Sequence, residues 1–209
     1  DLNEIVPNLN KYDGLIWGGS SLNIYNDTPE IRRQIFFMKE CFKNVKKILA
    51  ICWGMQVAVT AAGGEVKRGI KGSHIGIAND IELTNDGLNN LLYKDKKNKF
   101  NTPAFNFDEV VTTPMGTIHL ASNKINKIQG LNFKMGTSEI WGLQYHPEIT
   151  YKKMVDIIKF RKDALIEKKN VFKNEKEVNN HINFIEEEIK ISEKDSRMLE
   201  IRNWLNLIN

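Results

Sequence analysis

Cys52 and His146 are the two residues of this 209-residue chain whose types and surroundings suit nucleophilic chemistry. Cys52 directly follows the apolar run 48–51, which predicts a short buried strand, and a run of helix formers then ends at Gly63 and Gly64. A sharp strand-to-helix turn at Cys52 would display its side chain above a sheet edge, where a helix N-terminus favours a thiolate. The alternative is a cysteine buried in the core, which is a common place for an unpaired thiol.

A second motif, His146-Pro147-Glu148, ends an apolar-leaning segment that is predicted to be a strand. Pro147 favours an extended conformation at His146 and ends the strand, so the imidazole would stand at a strand terminus with a carboxylate close by. A cysteine nucleophile needs a base, and the base needs a partner that fixes its orientation. The hypothesis is that Cys52 is the nucleophile, His146 the base and Glu148 the orienting group.

Together, the two motifs resemble those of the class I glutamine amidotransferases, which carry a cysteine elbow G-x-C-x-G-x-Q and a later H-P-E. The elbow reads AICWGMQ over 50–56 here, with Ala50 in place of the usual glycine. The segment 12–20, YDGLIWGGS, resembles the strand and glycine-rich oxyanion loop of the family. The likeness extends from the first residues to about residue 150. It is nearest to stand-alone members similar to the amidotransferase domain of GMP synthase.

The resemblance implies specific roles for further residues. The backbone N–H groups of Gly19 and Trp53 would form the oxyanion hole. The family segment that helps to hold the α-amino and carboxylate groups of the substrate often contains a histidine, which this chain lacks, and a turn before a strand is the alternative interpretation. The substrate-binding residues implied in this way are Gln56, Asn106, Phe107 and Asp108.

The implied activity is hydrolysis of the side-chain amide of glutamine to glutamate and ammonia through a cysteine thioester. We find no P-loop and no dinucleotide fingerprint in the sequence, so the ammonia acceptor is expected on another protein. The candidate partners are a second copy of this chain and a separate synthetase subunit. The alternatives are a hydrolase of γ-glutamyl amides or peptides and a non-catalytic regulatory relative. Neither a cofactor nor a metal is expected.

Composition excludes several other function classes. The formal net charge of +4 comes from 30 basic and 26 acidic residues, an excess too slight to suggest nucleic-acid binding. The sequence contains no apolar run long enough to span a bilayer, and two cysteines cannot form a disulfide framework. Cys41 carries no motif and is interpreted as structural. We therefore expect a cytoplasmic protein with no membrane partner.

The expected architecture is α/β: a flavodoxin-like, three-layer class I amidotransferase fold with a central, mostly parallel sheet. The first βα unit of the family is expected to be missing from the chain as given. We expect a catalytic domain over 1–150 and a C-terminal helical extension over 151–209 that packs on it. Packing against a second copy and docking of a synthetase are the alternatives for this extension.

Three local expectations concern the surface and the C-terminal helix. His74 is predicted to be a surface residue in a glycine-rich loop, and 94–99 is predicted to be a solvated basic loop. The last helix is predicted to bury the residues that recur at helical spacing, namely Met198, Ile201, Leu205 and Ile208.

Overall fold

The computed structural model describes residues 6–192 and 194–208. Strands and helices alternate up to residue 61, strands predominate from residue 65 to residue 143, and helices follow from residue 151. The strands are β1 (Leu15–Trp17), β2 (Lys47–Ile51), β3 (Glu65–Arg68), β4 (His74–Ile75), β5 (Ala78–Leu83), β6 (Lys99–Thr102), β7 (Phe105–Asn106), β8 (Asp108–Thr112), β9 (Ile118–Ser122), β10 (Gly130–Met135) and β11 (Ser138–Leu143). The helices are α1 (Pro29–Asn44), α2 (Trp53–Ala61), α3 (Asn85–Leu88), α4 (Tyr151–Phe160), α5 (Glu175–Ile191), α6 (Lys194–Arg197) and α7 (Leu199–Ile208), with a π-helical turn at Ala164–Lys168.

A seven-stranded sheet in the order β1-β2-β11-β10-β9-β5-β6 forms the centre of the fold. The β1–β2 and β2–β11 pairs are parallel, and the remaining four pairs are antiparallel. These pairings make β10 and β5 run opposite to the other strands, so five of the seven strands share one direction. Most strands of the sheet therefore point in the same direction, as expected. Parallel hydrogen bonding is confined to β1, β2 and β11, the strands nearest Cys52. Among the described residues, β1 is an edge strand with β2 as its partner.

The two faces of the sheet are covered by different helices, which confirms the three-layer α/β class. Ile48 and Ala50 of β2 belong to the apolar cluster that contains residues of α1 and α2. Leu49 and Ile51 belong to a second cluster, which contains Trp204 of α7. This division follows from the alternation of side chains along a strand. Residues of α4 and α5 form a third cluster with Ile75 and Ile77.

Helix α7 packs differently from the sequence prediction. Leu205, which was expected to be buried, is 42% exposed, while Trp204 is 1% exposed. The Trp204 ring occupies space beside Gly14, where an added Cβ would lie 2.7 Å from its Cη2 atom. One turn earlier, Glu200 is fully buried, and its 3.0 Å ion pair with Lys96 offsets the cost of burying the charge. The predicted solvated basic loop at 94–99 is therefore wrong at Lys96, whose side chain is 2% exposed.

The prediction of a surface position for His74 is also wrong. His74 starts the short strand β4, pairs with Asn106 of β7, and is 2% exposed. Its Nε2 atom lies 2.8 Å from Nε2 of Gln129. Burial lowers the pKa of His74 to about 4, with a smaller opposing effect from a hydrogen bond to Asn126. The imidazole is therefore neutral near pH 7 and acts as a hydrogen-bonded core residue.

No helix in the described part of the chain combines the length and apolar character required to cross a bilayer.

Candidate active site

Cys52 lies on a sharp turn between β2 and α2, as the sequence predicts. Its φ and ψ angles are 53° and −106°, a conformation that is strained for a non-glycine residue. The Cys52 N–H donates a 2.6 Å hydrogen bond to the carbonyl of Leu143 at the end of β11. A Cβ on Gly54 would lie 2.3 Å from the carbonyl oxygen of Trp17, so a glycine is needed where α2 passes close to β1. The strained cysteine is held by the neighbouring strand on one side and by close packing on the other.

His146 reaches Cys52 because β2 and β11 are adjacent and parallel. Ile51 pairs with Leu143, so the residues that follow each strand emerge at the same edge of the sheet. The His146 backbone N–H donates to the carbonyl of Pro103 at 2.8 Å, and its Nδ1 atom lies 2.6 Å from Oε1 of Glu148. The predicted base and its orienting carboxylate are thus in direct contact.

The charge state of His146 is set by competing effects. Burial by itself would lower the pKa of the imidazole, which is 6% exposed. Hydrogen bonds to Cys52 and Glu148, together with their negative charges, outweigh burial and raise the pKa to about 10. The imidazolium form of His146 is therefore stabilised next to the cysteine sulfur.

Gly19 lies directly against both groups. A Cβ at this position would be 2.8 Å from Cε1 of His146 and 3.8 Å from Cβ of Cys52. Trp53, the first residue of α2, has its indole turned toward α1, where Nε1 donates a 2.7 Å hydrogen bond to Oε1 of Gln34. The two expected oxyanion-hole residues therefore lie on the glycine loop and on the helix start that flank the cysteine.

Gln144 is a buried residue of the site that was not singled out from the sequence. Its Nε2 atom lies 3.6 Å from the Cys52 sulfur, and its Oε1 atom accepts a 3.3 Å hydrogen bond from Gln56. Gln56 therefore supports the residue that contacts the nucleophile, in addition to lining the adjacent cavity. The sequence feature that could have identified Gln144 is its position as a polar residue within the apolar-leaning segment that precedes His146.

A cavity of about 90 Å³ opens beside Cys52 and brings together the residues predicted to bind substrate. The Asp108 carboxylate is 3% exposed and accepts hydrogen bonds from Asn23 at 2.6 Å and from the Tyr25 hydroxyl at 3.0 Å. Asn106 is 6% exposed, and its Oδ1 atom has no hydrogen-bond partner among the described residues. The predicted residues that line this cavity are Cys52, Gln56, Asn106, Phe107 and Asp108, and two cations missed from the sequence, Arg161 and Lys169, line it as well.

A second cavity, of about 290 Å³, lies on the side of His146 and Glu148. Its other lining residues include apolar ones, namely Phe105, Ile149, Met154 and Ile157. Ser20, Ser21, Phe105 and Arg161 line both cavities, so the two are neighbours around the reacting groups. In residues 6–192 and 194–208, no group of three or more His, Cys, Asp or Glu side chains could hold a metal ion.

The glutamine amidotransferase class I family model matches residues 1–162 of the chain. The match covers well over half of the sequence. The chain therefore belongs to the class I glutamine amidotransferase family, as the elbow and the H-P-E motif indicated.

Two curated relatives and one solved structure illustrate the range of similarity. A γ-glutamyl-L-1-hydroxyisopropylamide hydrolase from a Pseudomonas species is 32% identical over 221 residues, covering 95% of this chain and 73% of the relative. A glutamine-hydrolysing GMP synthase subunit from Methanosarcina acetivorans is 31% identical over 157 residues, covering 73% of this chain and 77% of the relative. A glutamine amidotransferase structure from Thermotoga maritima superposes with a TM-score of 0.72 at 21% identity, covering 98% of this chain and 81% of that one. This last likeness concerns the fold.

Proposed function

We propose that the protein hydrolyses the side-chain amide of glutamine to glutamate and ammonia through a thioester on Cys52. The Cys52 sulfur attacks the amide carbon as a thiolate while His146 holds the thiol proton, in the protonated form that its raised pKa favours, and Glu148 keeps the imidazole oriented. The N–H groups of Gly19 and Trp53 stabilise the oxyanion of the tetrahedral intermediate. His146 then protonates the departing ammonia as the C–N bond breaks, and it next activates the water that hydrolyses the thioester. No metal is required in this sequence of steps.

The observation that carries the proposal is the contact between the three predicted groups at one sheet edge. Cys52 is on a strained turn at a helix start, His146 lies beside it with a pKa that the cysteine sulfur helps to raise, and Oε1 of Glu148 is 2.6 Å from Nδ1 of the imidazole. Burial of the pair excludes bulk water, which strengthens these interactions. Such an arrangement supports nucleophilic attack on an amide more readily than a purely structural role for a buried cysteine.

Ammonia release from L-glutamine tests the proposal. We expect steady release by the unaltered protein and none by Cys52→Ala, whereas Cys41→Ala removes the other cysteine, which lies in α1, and should retain activity. An analogue with an electrophile in place of the side-chain amide should form one adduct, at Cys52, detectable by mass spectrometry. A protein that neither releases ammonia nor forms the adduct would support the non-catalytic alternative.

A second candidate is hydrolysis of γ-glutamyl alkylamides, in which an amine leaves instead of ammonia. The similarity to a γ-glutamyl amide hydrolase over 95% of this chain favours it. The 290 Å³ cavity beside His146 also favours it, because Ile149, Met154 and Ile157 provide apolar contacts for an alkyl group. The ratio of kcat/KM for γ-glutamyl isopropylamide to that for glutamine would separate the two candidates. A value well above one would favour the amine-releasing reaction.

If glutamine is the substrate, we propose that the ammonia is used by a separate synthetase subunit. The similarity to a GMP synthase subunit supports this proposal. We also propose that 1–150 forms the catalytic domain and that 151–209 is an extension packed on it. The apolar cluster shared by Ile75, Ile77, α4 and α5 supports this packing, although the family match extends to residue 162. A rise in glutaminase activity on adding a candidate synthetase would identify the partner.

A further inference from the structure

Two cations from the chain beyond residue 150 reach the cavity that contains Cys52. Arg161 directly follows α4, and Lys169 follows the π-helical turn Ala164–Lys168. Both side chains line this cavity. π-helical turns are rare and often accompany functional sites. Here the turn precedes a reversal at Asn170, whose φ is 51°, so that the chain turns back immediately after presenting Lys169.

Aromatic rings hold both cations at the cavity. The Arg161 guanidinium carbon lies 5.3 Å from the ring centroid of Phe105, and the Lys169 ammonium lies 5.3 Å from that of Phe107. The two rings contact each other edge to face, with centroids 6.0 Å apart. In the described part of the chain, neither cation has an ion-pair partner, although many other lysines and arginines do. Cation–π contacts position the charges but leave their N–H groups available for an anion.

A negatively charged group and a buried hydrogen-bond acceptor line the same cavity. The Asp108 carboxylate carries negative charge, and the Asn106 Oδ1 atom is a buried acceptor without a donor among the described residues. A buried acceptor that lacks a partner costs free energy, so a ligand that donates a hydrogen bond to it would bind more strongly. The cavity thus presents acceptors from β7 and β8 and donors from the chain beyond residue 150.

We propose that Arg161 and Lys169 bind the α-carboxylate of the substrate in the cavity that Asn106 and Asp108 also line, the two residues that the family resemblance already implies at the α-amino acid end. This assignment rests on the proposed function, because it places the γ-amide of the same substrate at Cys52. It restricts the substrate class to γ-glutamyl compounds with a free α-amino acid end. Peptides in which the α-carboxylate of the glutamine is blocked are then excluded. The specificity is supplied by residues that follow the catalytic motifs in the chain.

Two truncated amides, each lacking one charged group of glutamine, test the binding of the carboxylate and the binding of the amine separately. Glutaramate keeps the carboxylate of glutamine and lacks the α-amino group, and 4-aminobutanamide keeps the amine and lacks the carboxylate. We expect Arg161→Met to raise KM for glutamine and glutaramate about 10- to 100-fold, as for loss of a charge-assisted hydrogen bond, with kcat changed less than about threefold. The more exposed Lys169 should contribute about three- to tenfold. Neither variant should lower kcat/KM for 4-aminobutanamide, because that substrate has no carboxylate to lose.

Lys168→Met is the matched control, since it removes the same charge from the neighbouring residue, which does not line the cavity. An equal loss of activity on all three amides in Arg161→Met would indicate a structural role and overturn the assignment. Normal KM values in a variant that carries both Arg161→Met and Lys169→Met would also overturn it.

A binding measurement keeps the subsite testable if the proposed hydrolysis fails. We expect L-glutamate to bind the Cys52→Ala protein in calorimetry, and the same protein carrying Arg161→Met and Lys169→Met to bind it at least about tenfold more weakly. Absence of glutamate binding, or equal binding by both proteins, would overturn the subsite. Binding that is lost on the two substitutions, in a protein without amidase activity, would refute only the proposed reaction.

Discussion

Replacing Gly19 by alanine should disable the site without unfolding the protein. The added Cβ would lie 2.8 Å from Cε1 of His146, whereas non-bonded carbon atoms normally approach to about 3.5–4.0 Å. The imidazole must therefore move by roughly 1 Å, because the carbonyl of the adjacent Gly18 accepts a 3.1 Å hydrogen bond from the Gly54 N–H, which limits movement of the loop. A misplacement of about 1 Å at reacting groups can cost about 100-fold in rate, equivalent to about 2.7 kcal/mol in the activation free energy. The backbone N–H of residue 19 is retained, so the change tests the position of His146 rather than the loss of an oxyanion donor.

Gly18→Ala is the matched control, because a Cβ there meets no atom within 4 Å. Both glycines are exposed, and neither has a positive φ. The free energy of unfolding of each variant should therefore lie within about 0.5 kcal/mol of that of the parent protein. The assay is kcat/KM for glutamine or the preferred γ-glutamyl amide, together with urea unfolding. We expect a loss of about 100-fold in Gly19→Ala and less than about threefold in Gly18→Ala. Equal activity of the two variants would refute the inferred contact between the loop and His146.

Two further predictions concern buried charges. Because the pKa of His146 is raised from 6.5 to about 10 despite burial, its protonation stabilises the folded protein fully below about pH 6.5, and this contribution is lost as pH rises through 10. Urea unfolding across about pH 6–11 should show that decline, and Glu148→Gln should move it to lower pH; an unchanged profile in the variant would contradict the assigned coupling. Glu200→Ala should lower the free energy of unfolding by about 3–5 kcal/mol, because it leaves Lys96 buried without its partner. Glu187→Ala breaks an exposed pair and should cost less than about 1 kcal/mol, and similar losses in the two variants would show that burial does not determine the effect.

The groups proposed to be catalytic could be located from the sequence because their placement depends on local signals. An apolar run before Cys52 and helix formers after it define the elbow, and Pro147 ends the segment that presents His146. The class of fold followed from the resemblance to the class I glutamine amidotransferases that these motifs carry, and the structure has the expected sheet with helices on its faces. The pairing of β2 with β11 agrees with this expectation and brings the two motifs together.

The predictions that failed concern polar residues whose environment is made by distant parts of the chain. His74 lies in a glycine-rich segment that looks exposed, yet β7 pairs with it and Gln129 contacts it. Lys96 was assigned to solvent because its neighbours are charged, and its partner Glu200 lies 104 residues away. The prediction of the buried face of α7 used only the spacing of apolar residues. It therefore could not identify Trp204 and Glu200 as the buried residues.

The sequence by itself determined the elbow, the histidine with its carboxylate, the glycine loop and the segment that lines the cavity beside Cys52, because each depends on residue types within a few positions. The tertiary structure alone decided which polar groups complete the site. Gln144 reaches the sulfur, and Arg161 and Lys169 reach the cavity, only after two strands and a helix have packed. The physical reason is that charges and hydrogen bonds act between atoms a few ångströms apart in space. The number of residues between two groups in the sequence does not give their distance in the folded protein.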